Sequence, residues 1–402
     1  TIPSTVMAIL LDRIGPYLSS HLLPGIPFDP YIRLSVWTAY FTTFGLLPLI
    51  LLQVEERPKA YVLLTSAATL LGVALITGLV VVAKRDVTGY LLGGFLASAI
   101  MAVPFTWVIL RRCRRVWQWD QMKSMLAYSL PLVPHLLASW ALTVADRFIL
   151  ERHVPLGEVG VYMVAAQLGA VLAVISGALH SAWSPNLFRR HAEEGERAKP
   201  DLARMVTYVF VLLCWVALAL SVLAPQIVTI LTAGPFHGAR HLLPWIAAGL
   251  LLNGAYQIPG NFLFLTPRTI FVPIVTVGAG AVSIALNLAL VPRYGTAGAV
   301  GSYVVGNGVM LLLAWLLARR LYPFPYEYGR IARALLAGLA LYAAAAAVPA
   351  PPGWADAALR GGLWLLFPVL LGALGFYTPS EKQRLARGAR SLLTCFRKKA
   401  PC

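Results

Sequence analysis

Charged side chains are scarce in this sequence. Asp, Glu, Lys and Arg make up 12% of its 402 residues, whereas 59% of the residues are hydrophobic. Ordinary soluble domains carry about twice that share of charge. A soluble fold of this length would have to leave much of its apolar surface in water. The composition therefore excludes a soluble globular protein. We therefore predict an all-α polytopic membrane protein.

Cysteine is also rare, and the spacing of the four cysteines matches no metal-binding or disulfide motif. Cys113, Cys214, Cys395 and Cys402 form no CxxC or similar ligand pattern. This excludes a disulfide framework and a cysteine-based metal site, and we predict no cofactor and no metal site. The chain opens with TIPSTVMAILL, without an initiator Met or the basic region of a signal peptide. We expect either a processed chain or a fragment.

Apolar runs separated by short polar breaks recur along the whole chain. A helix needs about 20 such residues to cross a bilayer. Twelve runs are long enough to be predicted as spans, at about 1–20, 33–54, 60–83, 88–110, 124–150, 159–188, 203–224, 242–265, 269–291, 297–318, 331–349 and 358–377.

Basic residues test this order of spans, because Lys and Arg accumulate in cytoplasmic loops. Of the 33 basic residues, 24 fall on one side and seven on the other, while Arg13 and Arg147 lie inside spans. The asymmetry places both chain ends in the cytoplasm. It also explains the net charge of +17 as topology and not as a nucleic-acid surface. The basic tail 380–402 is expected either to lie on anionic lipid or to be simply solvated.

An internal repeat appears when the chain is shifted by 209 residues. Lys59 then matches Arg268, Gly89 matches Gly298, and Arg111 matches Arg320. Six spans separate the copies, so both have the same orientation and are related by an axis along the membrane normal. The pattern predicts fourteen helices in two lobes, with about 85 residues and two helices preceding Thr1. The expected parts are the rest of the first lobe, the second lobe, two added helices and the tail, at 1–115, 123–320, 330–377 and 380–402.

Three phrases of the sequence resemble the MOP superfamily, and within it the Wzx-type oligosaccharide flippases. QVEERPKAYVLL resembles that family's turn between helices four and five. SLPLVPHLLASWALTVADRFIL followed by VPLGEVGVYMVAAQLG resembles helices seven and eight, including Asp146–Phe148 and Gly160–Tyr162. AWSPNLF, Ala182–Phe188, resembles the end of helix eight. The resemblance covers the whole chain. The family's first two helices have no counterpart in this sequence, and we expect them before Thr1.

The resemblance implies a transporter and no covalent chemistry. It implies export of undecaprenyl-diphosphate-linked sugar repeat units across the bacterial inner membrane for O-antigen or exopolysaccharide synthesis. The implied partners are that lipid-linked glycan and a polysaccharide polymerase complex. The sequence does not identify a coupling ion, and a proton and sodium both stay open. Two other functions stay open: a cation-coupled small-molecule antiporter of the same superfamily, and a membrane glycosyltransferase or polymerase.

Ionisable residues inside spans are the main candidates for the site, because charge in hydrocarbon is costly. Apart from histidines they form two adjacent pairs, Asp12–Arg13 and Asp146–Arg147. Adjacent helical residues point about 100° apart, so each side chain needs a partner from elsewhere. The arginines suit a diphosphate. Both pairs lie toward the outer ends of their spans, so cavity lining and interfacial anchoring both stay open.

Further polar residues share helix faces with these pairs. His135, Ser139, Thr143 and Asp146 follow spacings of 4, 4 and 3 on one face of the fifth span. His135 and Thr143 are therefore cavity candidates, although a hydrogen-bonded packing role is favoured for His135 and for His180. Nearby prolines, Pro131 and Pro134, predict a kink that acts as a gate.

Amides form a second polar stripe, on the eighth span. Asn253, Gln257 and Asn261 recur every four residues. They either bind sugar hydroxyls or hold helices together, and the second role is favoured; Asn287 and Asn307 are interpreted in the same way. The glycines Gly89, Gly93 and Gly94 predict close helix packing.

Overall fold

The computed structural model of the chain describes residues 2–22, 27–55, 57–112, 118–129, 145–264, 271–348, 354–379 and 381. All regular structure in these ranges is helical, which confirms the predicted all-α fold. Seven helical segments there are long and apolar enough to cross a membrane. Two compact units divide the chain, Thr1–Lys123 and Ser124–Cys402.

The first unit is built from four long helices. Long apolar runs favour helices in lipid, because a helix satisfies its own backbone hydrogen bonds. The elements are α1 (Ile2–Leu22), α2 (Arg33–Val54), α3 (Pro58–Thr77) and α4 (Asp86–Arg112), with π-helical turns at Phe28–Ile32 and Gly78–Val82. A short amphipathic helix, α5 (Trp119–Ser129), leads from this unit into the next.

The second unit contains the remaining helices. Residues 145–153 form α6, and a 67-residue segment, Leu156–Val222, turns back at Gly195, where φ is 56°. The other elements are α7 (Leu156–Glu194), α8 (Lys199–Val222), α9 (Ala224–Leu231), α10 (Ala239–Phe264), α11 (Phe271–Leu321), α12 (Tyr328–Ala347), α13 (Trp354–Leu365) and α14 (Phe367–Ala373).

Eleven of the twelve predicted spans coincide with these helices, and most of the fifth lies outside the described residues. The 51-residue α11 contains two predicted spans. At 1.5 Å per residue it would be far longer than the bilayer is thick. It breaks at Gly295, where φ is 56° and ψ is −132°, a conformation that glycine adopts without strain. The break separates the predicted spans 269–291 and 297–318.

Helix bounds repeat at the predicted shift of 209 residues. Moving Asp86–Arg112 by this amount gives 295–321, which begins at the break in α11 and ends where α11 ends. A Cβ on Gly89 would lie 3.1 Å from the backbone of Leu79, and one on Gly298 would lie 2.5 Å from the carbonyl oxygen of Leu290. Equivalent glycines therefore allow the same tight turn in both copies.

Close packing is confirmed at two of the three glycines for which it was predicted. Gly89 makes the backbone contact just described, and a Cβ on Gly93 would lie 2.8 Å from Cα of Ile76. Gly94 has nothing within 4 Å of such a Cβ, so the prediction is wrong there. The reason is that Gly94 faces a cavity and not a helix.

The last helices are fastened to α8 by paired contacts. The rings of Trp215 and Trp364 stack at 4.8 Å, and each indole N–H donates to the other residue's carbonyl, at 3.4 and 3.1 Å. Just beyond the end of α8, Asp356 of α13 accepts from Arg360 at 2.7 Å and from Gln226 of α9 at 2.5 Å. Hydrocarbon offers no hydrogen bonds, so these contacts provide the partners that the polar groups need.

Arg330 has several charged and aromatic partners in the second unit. It is 8% exposed, forms ion pairs with Glu327 and Glu381 at 3.0 Å each, and lies 4.2 Å from the ring centre of Phe376. Burial raises the pKa of Glu381, but hydrogen bonds from Tyr208 and Thr378 and the charge of Arg330 outweigh it and lower the pKa to about 2. The network ties residue 381 to the start of α12.

We expect Arg330→Met to destabilise the second unit by about 3 kcal/mol, because it leaves two carboxylates without their cation. The apparent melting temperature in detergent measures this loss. Because folding lowers the pKa of Glu381 from 4.5 to about 2, the stability it contributes should be present above pH ~4.5 and lost as the pH falls toward 2. Arg320→Met, at an exposed position, is the control, and an equal loss in both variants would contradict the prediction.

Candidate functional site

A polar cavity of about 310 Å³ lies within the second unit, between α6, α10 and the two halves of α11. Small residues at Ala279, Gly280 and Gly306 leave the space open. Oxygen-bearing side chains provide its polar lining: Asp146, Asn253, Thr276, Ser283, Asn287, Tyr303 and Asn307. No Lys or Arg belongs to the lining among the described residues.

Asp146 is the one charged residue in the described lining, and α7 holds it in place. The hydroxyl of Tyr162 donates to Oδ2, and the backbone N–H of Arg147 donates to Oδ1 at 2.9 Å. Tyr162 is only 4% exposed. A charged acceptor with two donors is stabilised in a dry environment, so the carboxylate can stay at the cavity wall.

One pair of cavity amides joins two helices, which is the role that the sequence favoured, whereas the other amide hydrogen bonds lie within α11. Nδ2 of Asn253 donates to Oδ1 of Asn307 at 2.9 Å, which joins α10 to α11, and Asn307 donates to the carbonyl of Tyr303 at 2.8 Å. Asn287 donates to the carbonyl of Ser283 at 3.1 Å, while its buried Oδ1 has no hydrogen-bond partner in the described part of the chain. One amide acceptor therefore remains unused beside the cavity.

The rest of the amide stripe points to α7. Gln257 donates to the hydroxyl of Ser176 at 3.1 Å, and Asn261 contacts Nδ1 of His180 at 3.3 Å. Gln257 is not among the residues that line the cavity. The predicted stripe thus divides, with Asn253 at the cavity and its two successors in the α7–α10 contact. His180 lies in this contact between helices, in agreement with the packing role that was favoured for it.

Several candidates cannot be placed. His135, Thr143, Pro131 and Pro134 lie outside the described residues, and the gate and the polar face that they predict stay predictions. Arg147 is exposed and is absent from the cavity lining. Its guanidinium has no carboxylate partner among the described residues.

The first unit has a cavity of about 450 Å³ at the equivalent place in the repeat. Shifted by 209 residues, its lining residues Ala97, Ser98 and Met101 correspond to Gly306, Asn307 and Met310 of the second unit. Hydroxyl groups supply its polarity, at Thr38, Thr42, Thr65, Thr69 and Ser98. Within the described residues this lining carries no charge, so the two cavities share a position and differ in chemistry.

The other candidate pair, Asp12–Arg13, lies in the first unit. Asp12 accepts a hydrogen bond from Nε of Arg33 at 3.0 Å. Arg13 is exposed and has no carboxylate partner among the described residues. Sequence reasoning counted Arg33 only as an outer-loop charge, and it likewise missed Tyr162 as the partner of Asp146. Arg33 could have been singled out from the sequence because it lies on the side of the membrane that carries few basic residues.

The polar residues described above offer two kinds of binding site, one for cations and one for anions. Carboxylate, amide and hydroxyl oxygens are ligands for hard cations, and a carboxylate can also take a proton. The two exposed guanidinium groups suit planar anions such as phosphate. No cluster of three or more His, Cys, Asp or Glu residues that could hold a metal ion occurs in the described ranges.

The helical repeats and the apolar spans define a polytopic membrane protein. The chain belongs to the family described as "Polysaccharide biosynthesis protein", which it matches over residues 2–239. The resemblance noted in the sequence is thereby confirmed at the level of family and fold. No curated protein matches the chain.

Solved structures agree on the fold. "Lipid II flippase MurJ, inward closed conformation" is similar with a TM-score of 0.73 and 12% identity, covering 91% of this chain and 80% of that one. A multidrug resistance MATE family transporter of the MOP superfamily is similar in its inward-facing conformation (TM-score 0.63, 15% identity, covering 83% and 79%). Its outward-facing conformation gives a TM-score of 0.61 at 15% identity, covering 79% and 75%.

Proposed function

We propose that this protein moves polyprenyl-diphosphate-linked oligosaccharides across the membrane, from the inner to the outer leaflet, by alternating access. Membership of a polysaccharide biosynthesis family and a fold shared with a lipid flippase and with transporters support the proposal. The proposed substrate is an undecaprenyl-diphosphate-linked repeat unit for O-antigen or exopolysaccharide. The protein then acts as a transporter and not as an enzyme.

One observation carries the proposal. In both intramembrane Asp-Arg pairs another residue of the same unit engages the carboxylate, Arg33 for Asp12 and Tyr162 for Asp146. Both neighbouring arginines, Arg13 and Arg147, are exposed. An arginine in a largely apolar helix is costly unless it meets water or an anion. Each of these guanidinium groups lacks a carboxylate partner among the described residues, and such a group suits the diphosphate of a lipid-linked sugar.

The Asp146 cavity is the proposed site of the coupling ion. Its oxygen lining and single negative charge suit a monovalent cation, sodium or a proton, better than a phosphate. Occupation of the cavity would neutralise Asp146 and so alter the packing between α6, α7 and α11. A cation that binds one conformation better than another shifts their populations.

The same proposal extends to the surroundings of the protein. We place it in the bacterial inner membrane with a cytoplasmic C-terminus, with the lobes bounded at 1–115 and 123–320, the added helices at 330–377 and the basic tail, 380–402, on anionic lipid. A polysaccharide polymerase complex is the proposed protein partner.

A cation-coupled antiporter of small molecules is the second candidate. The similarity to MATE transporters and the acidic cavity favour it. The exposed arginines favour the flippase, because a cationic drug would avoid them.

Complementation tests the proposed function. The complete gene should restore polysaccharide export in a strain that lacks its own flippase, and inner-leaflet repeat units should stop accumulating. Export that stays absent although the protein inserts normally would exclude the flippase. Extrusion of small cations by the same cells would then identify the antiporter.

A further inference from the structure

Arg33, at the start of α2, holds two carboxylates at the outer end of the first unit. Its Nε is 3.0 Å from Oδ1 of Asp12, and Nη1 pairs with Oδ2 of Asp29. Its guanidinium also lies 5.5 Å from the ring centre of Phe28. The side chain is therefore held from three sides.

Glycine packing explains why Asp12 faces Arg33. A Cβ on Gly15 would clash with the ring of Phe28 as it stands, so glycine at that position lets α1 lie close to this ring. Asp12 and Gly15 are three residues apart and share a helix face. Arg13 is rotated by about 100° from Asp12 and is exposed.

We infer that Arg33 is a positioning residue for anion binding: it neutralises Asp12 so that the adjacent Arg13 can bind the diphosphate. The inference rests on the proposed function. An unpaired carboxylate next to Arg13 would repel an approaching phosphate, and with an effective dielectric constant of about 20 to 80 this repulsion is substantial over a few ångströms. The Asp12 side chain is only 26% exposed, whereas that of Asp29 is 62% exposed. Water therefore screens Asp29 more strongly than Asp12.

Two double variants with the same formal charge test this inference. Full-length protein in nanodiscs is titrated with geranylgeranyl diphosphate, and geranylgeraniol controls for binding of the tail alone. We expect Arg33→Ala to weaken diphosphate binding roughly fivefold. Arg33→Ala with Asp12→Asn should restore the affinity, whereas Arg33→Ala with Asp29→Asn should not. Arg33→Lys should retain most of the affinity, because it keeps the charge.

Each result has one meaning. Unchanged binding by Arg33→Ala, or equal rescue by both double variants, would overturn the inference. If the single variant does not fold, the comparison between Arg33→Lys and the two double variants still decides. Arg13→Gln tests the proposed role of Arg13 separately: unchanged diphosphate affinity in that variant removes Arg13 from the proposed binding site. If Arg13→Gln weakens diphosphate binding and Arg33→Ala does not, the inference about Arg33 is overturned and the proposed role of Arg13 stands.

Discussion

Replacing Arg147 with alanine or with lysine should reduce export of lipid-linked repeat units at least about tenfold, since a charge-assisted hydrogen bond contributes about 1.5–3 kcal/mol. Lysine should not substitute, because it keeps the charge and loses the planar fork that binds two phosphate oxygens. The guanidinium is exposed and has no carboxylate partner in the described ranges, so its loss should leave the fold intact. Accumulation of inner-leaflet repeat units in complemented cells measures the effect.

Arg152→Ala is the matched control for this prediction. Arg152 is another exposed arginine of α6, one and a half turns further along, and it should be replaceable without effect on export. Membrane insertion of all variants is compared by their abundance in the membrane fraction. Normal export by both Arg147 variants would show that this residue anchors the helix at the interface and does not bind substrate.

The helices of this protein could be predicted because one physical rule dominates them. A span in lipid must satisfy its own backbone, so apolar length alone locates it, and bounds such as Arg33–Val54 were predicted to the residue. The repeat was readable for the same reason, since equivalent loops such as those at Lys59 and Arg268 share charge and spacing. The break at Gly295 lies in the short polar stretch that separates the predicted spans 269–291 and 297–318.

The partners of the charged residues could not be predicted, because they depend on contacts between helices. Tyr162 is 16 residues from Asp146, and Arg33 is 21 residues from Asp12. Helical periodicity reports only which residues share a face of one helix. The division of the amide stripe has the same cause, because the neighbours of α10 determine that Asn253 reaches the cavity and Gln257 reaches Ser176.

Asp146→Asn should remove the dependence of transport on the coupling cation and lower export at least about tenfold, because the cavity loses its charge while keeping its shape. The amide oxygen can still accept the hydrogen bond of Tyr162, so we expect the variant to insert and fold. Exported repeat units are measured in membrane vesicles while sodium is varied at constant pH, and then while pH is varied at constant sodium. The gradient that drives the wild-type protein identifies the ion.

Asp201→Asn serves as the control for this substitution. Its side chain is 63% exposed and pairs only loosely with Arg190 and Arg204, at 3.7 and 3.8 Å, so water screens its charge. It should keep the gradient dependence of the wild type. If Asp146→Asn also keeps that dependence, the cavity does not couple transport to a cation, and Asp146 serves only to join α6 to α7 through Tyr162. Loss of dependence in the Asp146 variant alone, with normal insertion, assigns the coupling to this carboxylate, because both variants remove one negative charge from the second unit.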